Sequence, residues 1–175
     1  TGQELTESEI EKLQERDQED RALSSALRSL NRRLQSESEL QKKLIQKGFS
    51  PDQIEPVMER LKENHLIDDN SFSAMWVENQ TAFRPRSKRM LTLELKRKGV
   101  SEENIRESLK DLDEEKAALD CGLRYVKRLQ GLDRPNFQKK LSAYLARRGF
   151  GYELIDQTVH TLWADIQNSE KDSIL

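Results

Sequence analysis

Three stretches of this chain can be laid over one another, and that constrains its fold more than any single motif. They read Leu44-Ile-Gln-Lys-Gly48-Phe-Ser-Pro-Asp-Gln-Ile54, Leu95-Lys-Arg-Lys-Gly99-Val-Ser-Glu-Glu-Asn-Ile105 and Leu145-Ala-Arg-Arg-Gly149-Phe-Gly-Tyr-Glu-Leu-Ile155. The glycines recur at 48, 99 and 149. Apolar positions hold the same register around them: Leu40, Leu91 and Leu141 before, Met58, Leu109 and Val159 after, then Leu61, Leu112 and Leu162. A chain with this period is expected to fold as tandem copies of one small unit.

Each copy reads as two helices separated by a sharp stop. Glycine takes the left-handed conformation that ends a helix, and the basic residues just before it suit the negative end of the helix dipole. The residue after the glycine is expected to pack back on the helix, pairing Phe49 with Leu44, Val100 with Leu95 and Phe150 with Leu145. A new helix then starts. Ser50 is a suitable N-cap with Pro51 at the first helical position and Gln53 completing a capping box, and Ser101 precedes Glu102 and Glu103. Gly151 stands in the equivalent place of the third copy and is a weaker cap. Pro56 falls inside the helix that Ser50 opens, so an irregular turn is expected there.

A third amphipathic segment precedes each pair. Leu23, Leu27, Leu30 and Leu34 share a face at helical spacing, as do Phe72, Met75, Trp76 and Phe83, while Leu119, Leu123, Tyr125, Val126 and Leu129 form a broader one. Asp68 and Asp69 are expected to cap the second of these helices, and Ser36 with Glu39 the helix after the first, with Ser87 in the matching place 51 residues on. Thr6 with Glu9 makes a further capping box, and Leu5 with Ile10 a hydrophobic staple. The expected architecture is all-α: a tandem array of three three-helix, helix-turn-helix-like repeats, elongated and curved. Its boundaries are an acidic lead-in helix at 1–21, repeats at 22–67, 68–114 and 115–166, and a C-terminal tail at 167–175.

Composition agrees. Hydrophobic residues make up 34% of the 175 and charged residues 35%, which suits narrow apolar faces, and seven Gly with four Pro are too few for the turns of an all-β chain. The single cysteine, Cys121, excludes an internal disulfide and a cysteine-rich zinc site. No apolar run reaches bilayer length and no secretory signal pattern opens the chain, so a cytoplasmic protein is expected. Thr1 rather than Met opens the chain, as in a fragment or a processed protein.

A net charge of −2 hides segregation. From Arg84 to Lys98 seven basic residues (Arg84, Arg86, Lys88, Arg89, Lys96, Arg97 and Lys98) meet one acid, Glu94. From Ser101 to Asp120 acids dominate, and a second basic zone runs from Arg124 through Arg128, Lys139 and Lys140 to Arg147 and Arg148. Basic zones of this kind suit contact with a polyanion, although a protein that coats nucleic acid along its length would be more basic overall.

The phrases Leu66-Ile-Asp-Asp69-Asn-Ser-Phe72-Ser, Lys88-Arg-Met-Leu-Thr-Leu-Glu-Leu-Lys-Arg-Lys-Gly99-Val-Ser and Leu145-Ala-Arg-Arg-Gly-Phe150 together resemble the RecX family of RecA regulators, over roughly residues 22 to 162. The resemblance implies a repeat array that binds RecA and its DNA filament within the filament groove. It implies inhibition of recombinase, ATPase and co-protease activities, and so regulation of DNA repair, recombination and the SOS response. Two departures stand out. The Arg84-Pro-Arg-Ser87 turn replaces a glycine that many members carry before the central basic helix, and residues 1–21 resemble the junction with the N-terminal extension of longer members.

Each conspicuous residue has a plain structural reading beside a functional one. Lys47, Lys98, Arg147 and Arg148 precede helix-ending glycines, where dipole complementarity is as good an account of any one of them as binding. The cluster from Arg84 to Arg89 is expected to open a helix, where cations are disfavoured, and that favours binding. The partner-binding residues expected for RecA or DNA are therefore Arg84, Arg86, Lys88, Arg89, Lys96, Arg97, Lys139, Lys140 and Arg147; Gly48, Gly99, Gly149, Asp68 and Asp69 are structural caps. His65, His160 and Cys121 read as packing residues, and Trp76 and Trp163 as core. No phosphate-cradling loop, metal-ligand set or catalytic constellation emerges, so a monomeric, cofactor-free non-enzyme is expected. Its alternative is a helical-repeat nucleic-acid-binding protein acting through the basic stripe, with weak direct contact to DNA.

Overall fold

The computed structural model describes residues 6–172, and among these the regular structure is α-helical, with no strand. The helices are α1 (Glu7–Leu30), α2 (Glu37–Gln46), α3 (Pro51–Glu63), α4 (Asp69–Phe83), α5 (Lys88–Arg97), α6 (Glu102–Leu109), α7 (Glu114–Val126), α8 (Arg134–Arg147) and α9 (Tyr152–Asp172). They form three consecutive triplets. By packing, the chain divides into two compact units: the stretch up to Ser73 with Lys96–Asn104, and Ala74–Leu95 with the stretch from Ile105 onward.

In the first unit α1 is one unbroken helix, so the acidic lead-in and the first segment of the repeat are continuous. Thr6 and Glu9 form the expected capping box at its start. Leu5 of the expected staple lies outside the described residues, and Ile10 is exposed. The buried stripe of α1 is Ala22, Ser25, Ala26 and Ser29, one step round from the expected leucines. Small side chains let α1 lie close to the core of Leu40, Leu44, Ile54, Val57, Leu61 and Ile67, while Leu23, Leu27 and Leu30 cover its edges. Leu34 is exposed, because α1 ends at Leu30. The buried Gln35 amide donates to the Ser29 carbonyl at 2.8 Å and helps close that end.

Helix α2 has the expected box of Ser36 and Glu39 and stops at Gly48, whose φ is +93°. There the Gly48 N–H donates to the Ile45 carbonyl (2.9 Å) and the Phe49 N–H to that of Leu44 (3.3 Å). In α3 the Gln53 side chain accepts from the Ser50 N–H at 3.0 Å. The irregular turn expected at Pro56 does not occur: α3 continues through it. Proline there withdraws a partner only from the carbonyl of exposed Asp52, near the helix start, and burial of Ile54, Val57, Met58 and Leu61 offsets the loss. Helix α3 stops at His65, which adopts φ +54° while Leu66 N–H reaches the Leu61 carbonyl at 2.9 Å. His65 is thus exposed and ends a helix as a glycine would, instead of packing. His160 is exposed as well, beside Asp156 on α9.

Asp68 caps α4, accepting from the N–H groups of Asn70 and Ser71 and from the Ser71 hydroxyl. Asp69 does something the sequence did not suggest: its carboxylate accepts the N–H of Glu37 at 2.8 Å, at the start of α2. The Ser36 hydroxyl meanwhile donates to the Lys98 carbonyl, and Lys98 Nζ lies 2.9 Å from the Glu39 carboxylate. A Cβ built on Gly99 (φ +79°) would stand 2.3 Å from Ser38 Cβ. The start of α2 therefore plugs into the end of α5, with Asp69 as a side clasp.

The same joint recurs in the second unit. Ser87 N–H donates to the Arg148 carbonyl at 3.1 Å, and Lys88 N–H donates to Glu114 at 2.9 Å. A Cβ on Gly149 (φ +90°) would meet Ser87 Oγ at 2.5 Å and Met90 Cβ at 3.0 Å. The core here joins Ala117, Ala118, Cys121 and Leu129 to Phe137, Leu141, Leu145, Phe150, Ile155, Val159 and Leu162. Small residues again make the close approach, since a Cβ on Gly122 would lie 2.5 Å from Leu162 Cδ1. Leu123 is exposed, as are Met75 and Phe83 on α4, where Val77 is the buried residue of this unit. Trp163 packs on Phe137, and Cys121 is buried, which pushes its thiol up. The expected tail is helical as far as Asp172.

Acid should loosen the first joint. Burial pushes the Glu39 carboxyl up, but hydrogen bonds from Lys98 and Arg33 outweigh it and hold the group below its ordinary value; the Ser71 hydroxyl and N–H lower Asp68 likewise. A lowered carboxylate adds stability above its unfolded pKa and loses it as the pH falls through the folded one. Asp69 is raised by burial and runs the opposite way. Stability to urea should fall as the pH drops below about 4.5. Glu39→Gln, which keeps the capping bond but not the charge, should make that fall shallower; an unchanged slope would contradict the assignment.

Candidate partner-binding surface

The turn ahead of α5 is fixed from inside. Pro85 and Ser87 are fully buried, so Arg84 and Arg86 alternate about a rigid backbone, and α5 begins only at Lys88. Of the residues expected to open a helix with excess cation, Arg84 and Arg86 thus lie in the turn before it, and Lys88 and Arg89 in its first turn. Arg84 is exposed. Arg86 departs from the expected outward stripe: its guanidinium pairs with Glu94, whose side chain is 12% exposed and also accepts Trp76 Nε1–H at 3.2 Å. Burial lowers the Arg86 pKa, and the charges of Arg148 and Arg84 add to it. Arg86 therefore braces the turn.

Lys88 is half-buried beside the joint, while Arg89 is exposed. Lys96 and Arg97, in the first unit, are exposed too, Lys96 in a surface pair with Glu102 at 2.7 Å. On α8 the buried row Phe137, Leu141 and Leu145 turns Lys139, Lys140 and Arg147 outward. Among the described residues Arg84, Arg89, Lys139, Lys140 and Arg147 have no carboxylate at ion-pair distance.

Several neighbours were not nominated from sequence. Tyr125 and Tyr144 stack with centroids 4.0 Å apart and planes 3° apart, and Arg148 lies over Tyr144 at 4.9 Å with Nη2 3.1 Å from the phenol oxygen. Arg124 donates to the Ala82 and Phe83 carbonyls at 2.7 and 2.8 Å, closing the end of α4. The tyrosines lie on different helices and share no period, so nothing in the sequence pairs them. No three His, Cys, Asp or Glu residues among those described are placed to hold a metal ion. None of the described helices is long and apolar enough to cross a membrane.

These features define a class: a helical-repeat protein in which the start of one helix is joined to the end of another through capping carboxylates and a left-handed glycine. The chain belongs to the RecX family. Its first, second and third three-helix domain models match residues 22–61, 68–109 and 113–159. The regulatory protein RecX of Prosthecochloris aestuarii is 35% identical over 142 residues, covering 81% of this chain and 93% of that protein. That of Chlorobium limicola is 32% identical over 151 residues, covering 86% and 95%. Two crystal structures share the fold: one of regulatory protein RecX (TM-score 0.74, 24% identity, 90% of this chain and 79% of that one) and one of RecX from Lactobacillus salivarius (TM-score 0.70, 21%, 83% and 97%). The role of the chain is accordingly regulatory.

Proposed function

We propose that this protein binds the RecA–DNA filament and inhibits its recombinase, ATPase and co-protease activities, without catalysing a reaction of its own. The supporting observation is the exposed set Arg84, Arg89, Lys139, Lys140 and Arg147, without ion pairs among the described residues, on a chain whose net charge is −2. Cations gathered on a rigid scaffold steer association with an acidic surface and add little to folding. A filament on DNA offers acidic protein and phosphate together.

The test is a pull-down with RecA filaments assembled on single-stranded DNA with nucleotide, followed by strand exchange and ATP hydrolysis. Reversing Arg84, Arg89 and Arg147 to Glu should weaken capture at least roughly tenfold and relieve inhibition, while the melting temperature stays near that of the parent. Unchanged inhibition would remove this surface from the function. Failure of the parent to bind the filament would remove the function itself.

A further inference from the structure

A face of α4 that the core leaves unused is largely apolar. Phe72, Ser73 and Val77 are buried and Trp76 is half-buried, so the helix turns Met75, Asn79, Ala82 and Phe83 outward as a stripe at helical spacing. Met75 is 42% exposed and Phe83, which closes α4, 74%. The Phe83 ring meets no other aromatic ring and no cation among the described residues. Single exposed apolar residues are ordinary on a protein surface, whereas a stripe that runs along a helix into a fixed turn marks a contact.

The backbone under Phe83 is held from several sides. Arg124 of α7 donates to the Ala82 and Phe83 carbonyls, and the Arg84 N–H donates to the Gln80 carbonyl at 2.8 Å. Pro85 and Ser87 are buried just beyond. A ring carried on so fixed a backbone has little further order to lose when a partner covers it. Arg124 is the positioning residue of this arrangement.

Charge narrows the choice of partner. Arg84 follows Phe83, is exposed and has no carboxylate at ion-pair distance among the described residues, and Arg124 lies at the carbonyls beneath. Two copies meeting face to face through the stripe would bring these cations together. A nucleic-acid strand needs successive stacking surfaces, but the stripe offers one aromatic ring, and exposed Glu78 beside Asn79 repels phosphate. The chemistry that fits is a protein surface with an apolar pocket and a carboxylate at its edge.

We infer, with the filament as the partner, that the α4 stripe is the apolar anchor by which this chain docks on an acidic protein surface of the recombinase subunits. Phe83 fills an apolar pocket there and Arg84 pairs with a carboxylate at its rim. An aromatic residue beside an arginine on a rigid element has the composition of an interface hot spot.

The test is capture of the whole chain by RecA filaments assembled on single-stranded DNA with nucleotide, and by the same DNA without RecA, at low and high salt. Phe83→Ala should weaken capture by the filament at least about tenfold, and Met75→Ala should weaken it less; both should melt near the parent, because both side chains are exposed. The loss at Phe83 should persist at high salt, where the loss caused by Arg84→Glu shrinks. Tyr152→Ala, at another exposed aromatic, should bind as the parent does. Binding to DNA without RecA should be the same for Phe83→Ala and the parent. A parent that does not bind the filament removes the proposed function and the anchor with it. A parent that binds while Phe83→Ala binds equally well overturns the anchor alone. An equal loss on DNA without RecA would assign the stripe to nucleic acid, and self-association of the parent that Phe83→Ala abolishes in sedimentation would assign it to a second copy; either overturns the inference.

Discussion

Gly99→Ala should destabilise the protein far more than Gly48→Ala, although both glycines end a helix at positive φ. A side chain in the left-handed region costs about 1–2 kcal/mol at either site. At Gly48 the cost ends there, since a Cβ would have open space around it. At Gly99 the added carbon would stand 2.3 Å from Ser38 Cβ, an atom with no freedom to swing aside because Ser38 lies in the first turn of α2. Opening the joint to admit it strains or breaks the Ser36 and Asp69 bonds, which adds about 1–3 kcal/mol. Urea unfolding should therefore separate the two variants by at least about 1 kcal/mol, and Gly99→Val should be worse than either. Equal losses at 48 and 99 would mean that the glycine serves only as a stop.

Arg86→Glu should be strongly destabilising, whereas Arg89→Glu, three residues away, should melt like the parent. Glu94 lies in a pocket that admits little water and depends on Arg86 for its counter-charge. Breaking such a pair from one side costs roughly 3–5 kcal/mol when fully buried, and somewhat less here because the Arg86 side chain keeps 27% of its exposure. The reversed charge would also face Glu94 directly. Arg89 is exposed with no acid beside it among the described residues, so its reversal is expected to stay within about 0.5 kcal/mol. A variant that reverses both confounds folding with binding; the functional test at this surface therefore keeps Arg86 intact. Restoring stability with Arg86→Lys would show that the charge matters more than the guanidinium fork, and a loss close to that of Arg86→Glu would show the reverse.

The parts of the fold that the sequence made legible are those set by neighbours a few residues apart. Gly48, Gly99 and Gly149 as stops, the Ser36 and Thr6 boxes and the Asp68 cap are local bargains between backbone groups and adjacent side chains. Helix faces were less legible. Reading the largest apolar residues as the inward face misplaced the stripe of α1, because the contact is made by Ala22, Ser25, Ala26 and Ser29. The candidate surface was legible as composition and not as orientation. Arg84 and Arg89 point outward while Arg86 between them turns in, a distinction that depends on Glu94 and Trp76 arriving from elsewhere in the fold. The second role of Asp69 was equally hidden, since the N–H it accepts lies 32 residues away.

The joints also impose an order on synthesis. The Glu37–Asp69 clasp spans 32 residues and the Lys88–Glu114 clasp 26, whereas the bond from Ser36 to the Lys98 carbonyl spans 62. On the ribosome the clasp for α2 thus emerges well before the helix end that receives it. A nascent first repeat can hold its carboxylate latch while its seat is still unmade, and the seat arrives only when Gly99 has been added. Elongation from the N-terminus adds each repeat's lid after its latch, so a pause between residues 69 and 99 would leave the start of α2 half covered.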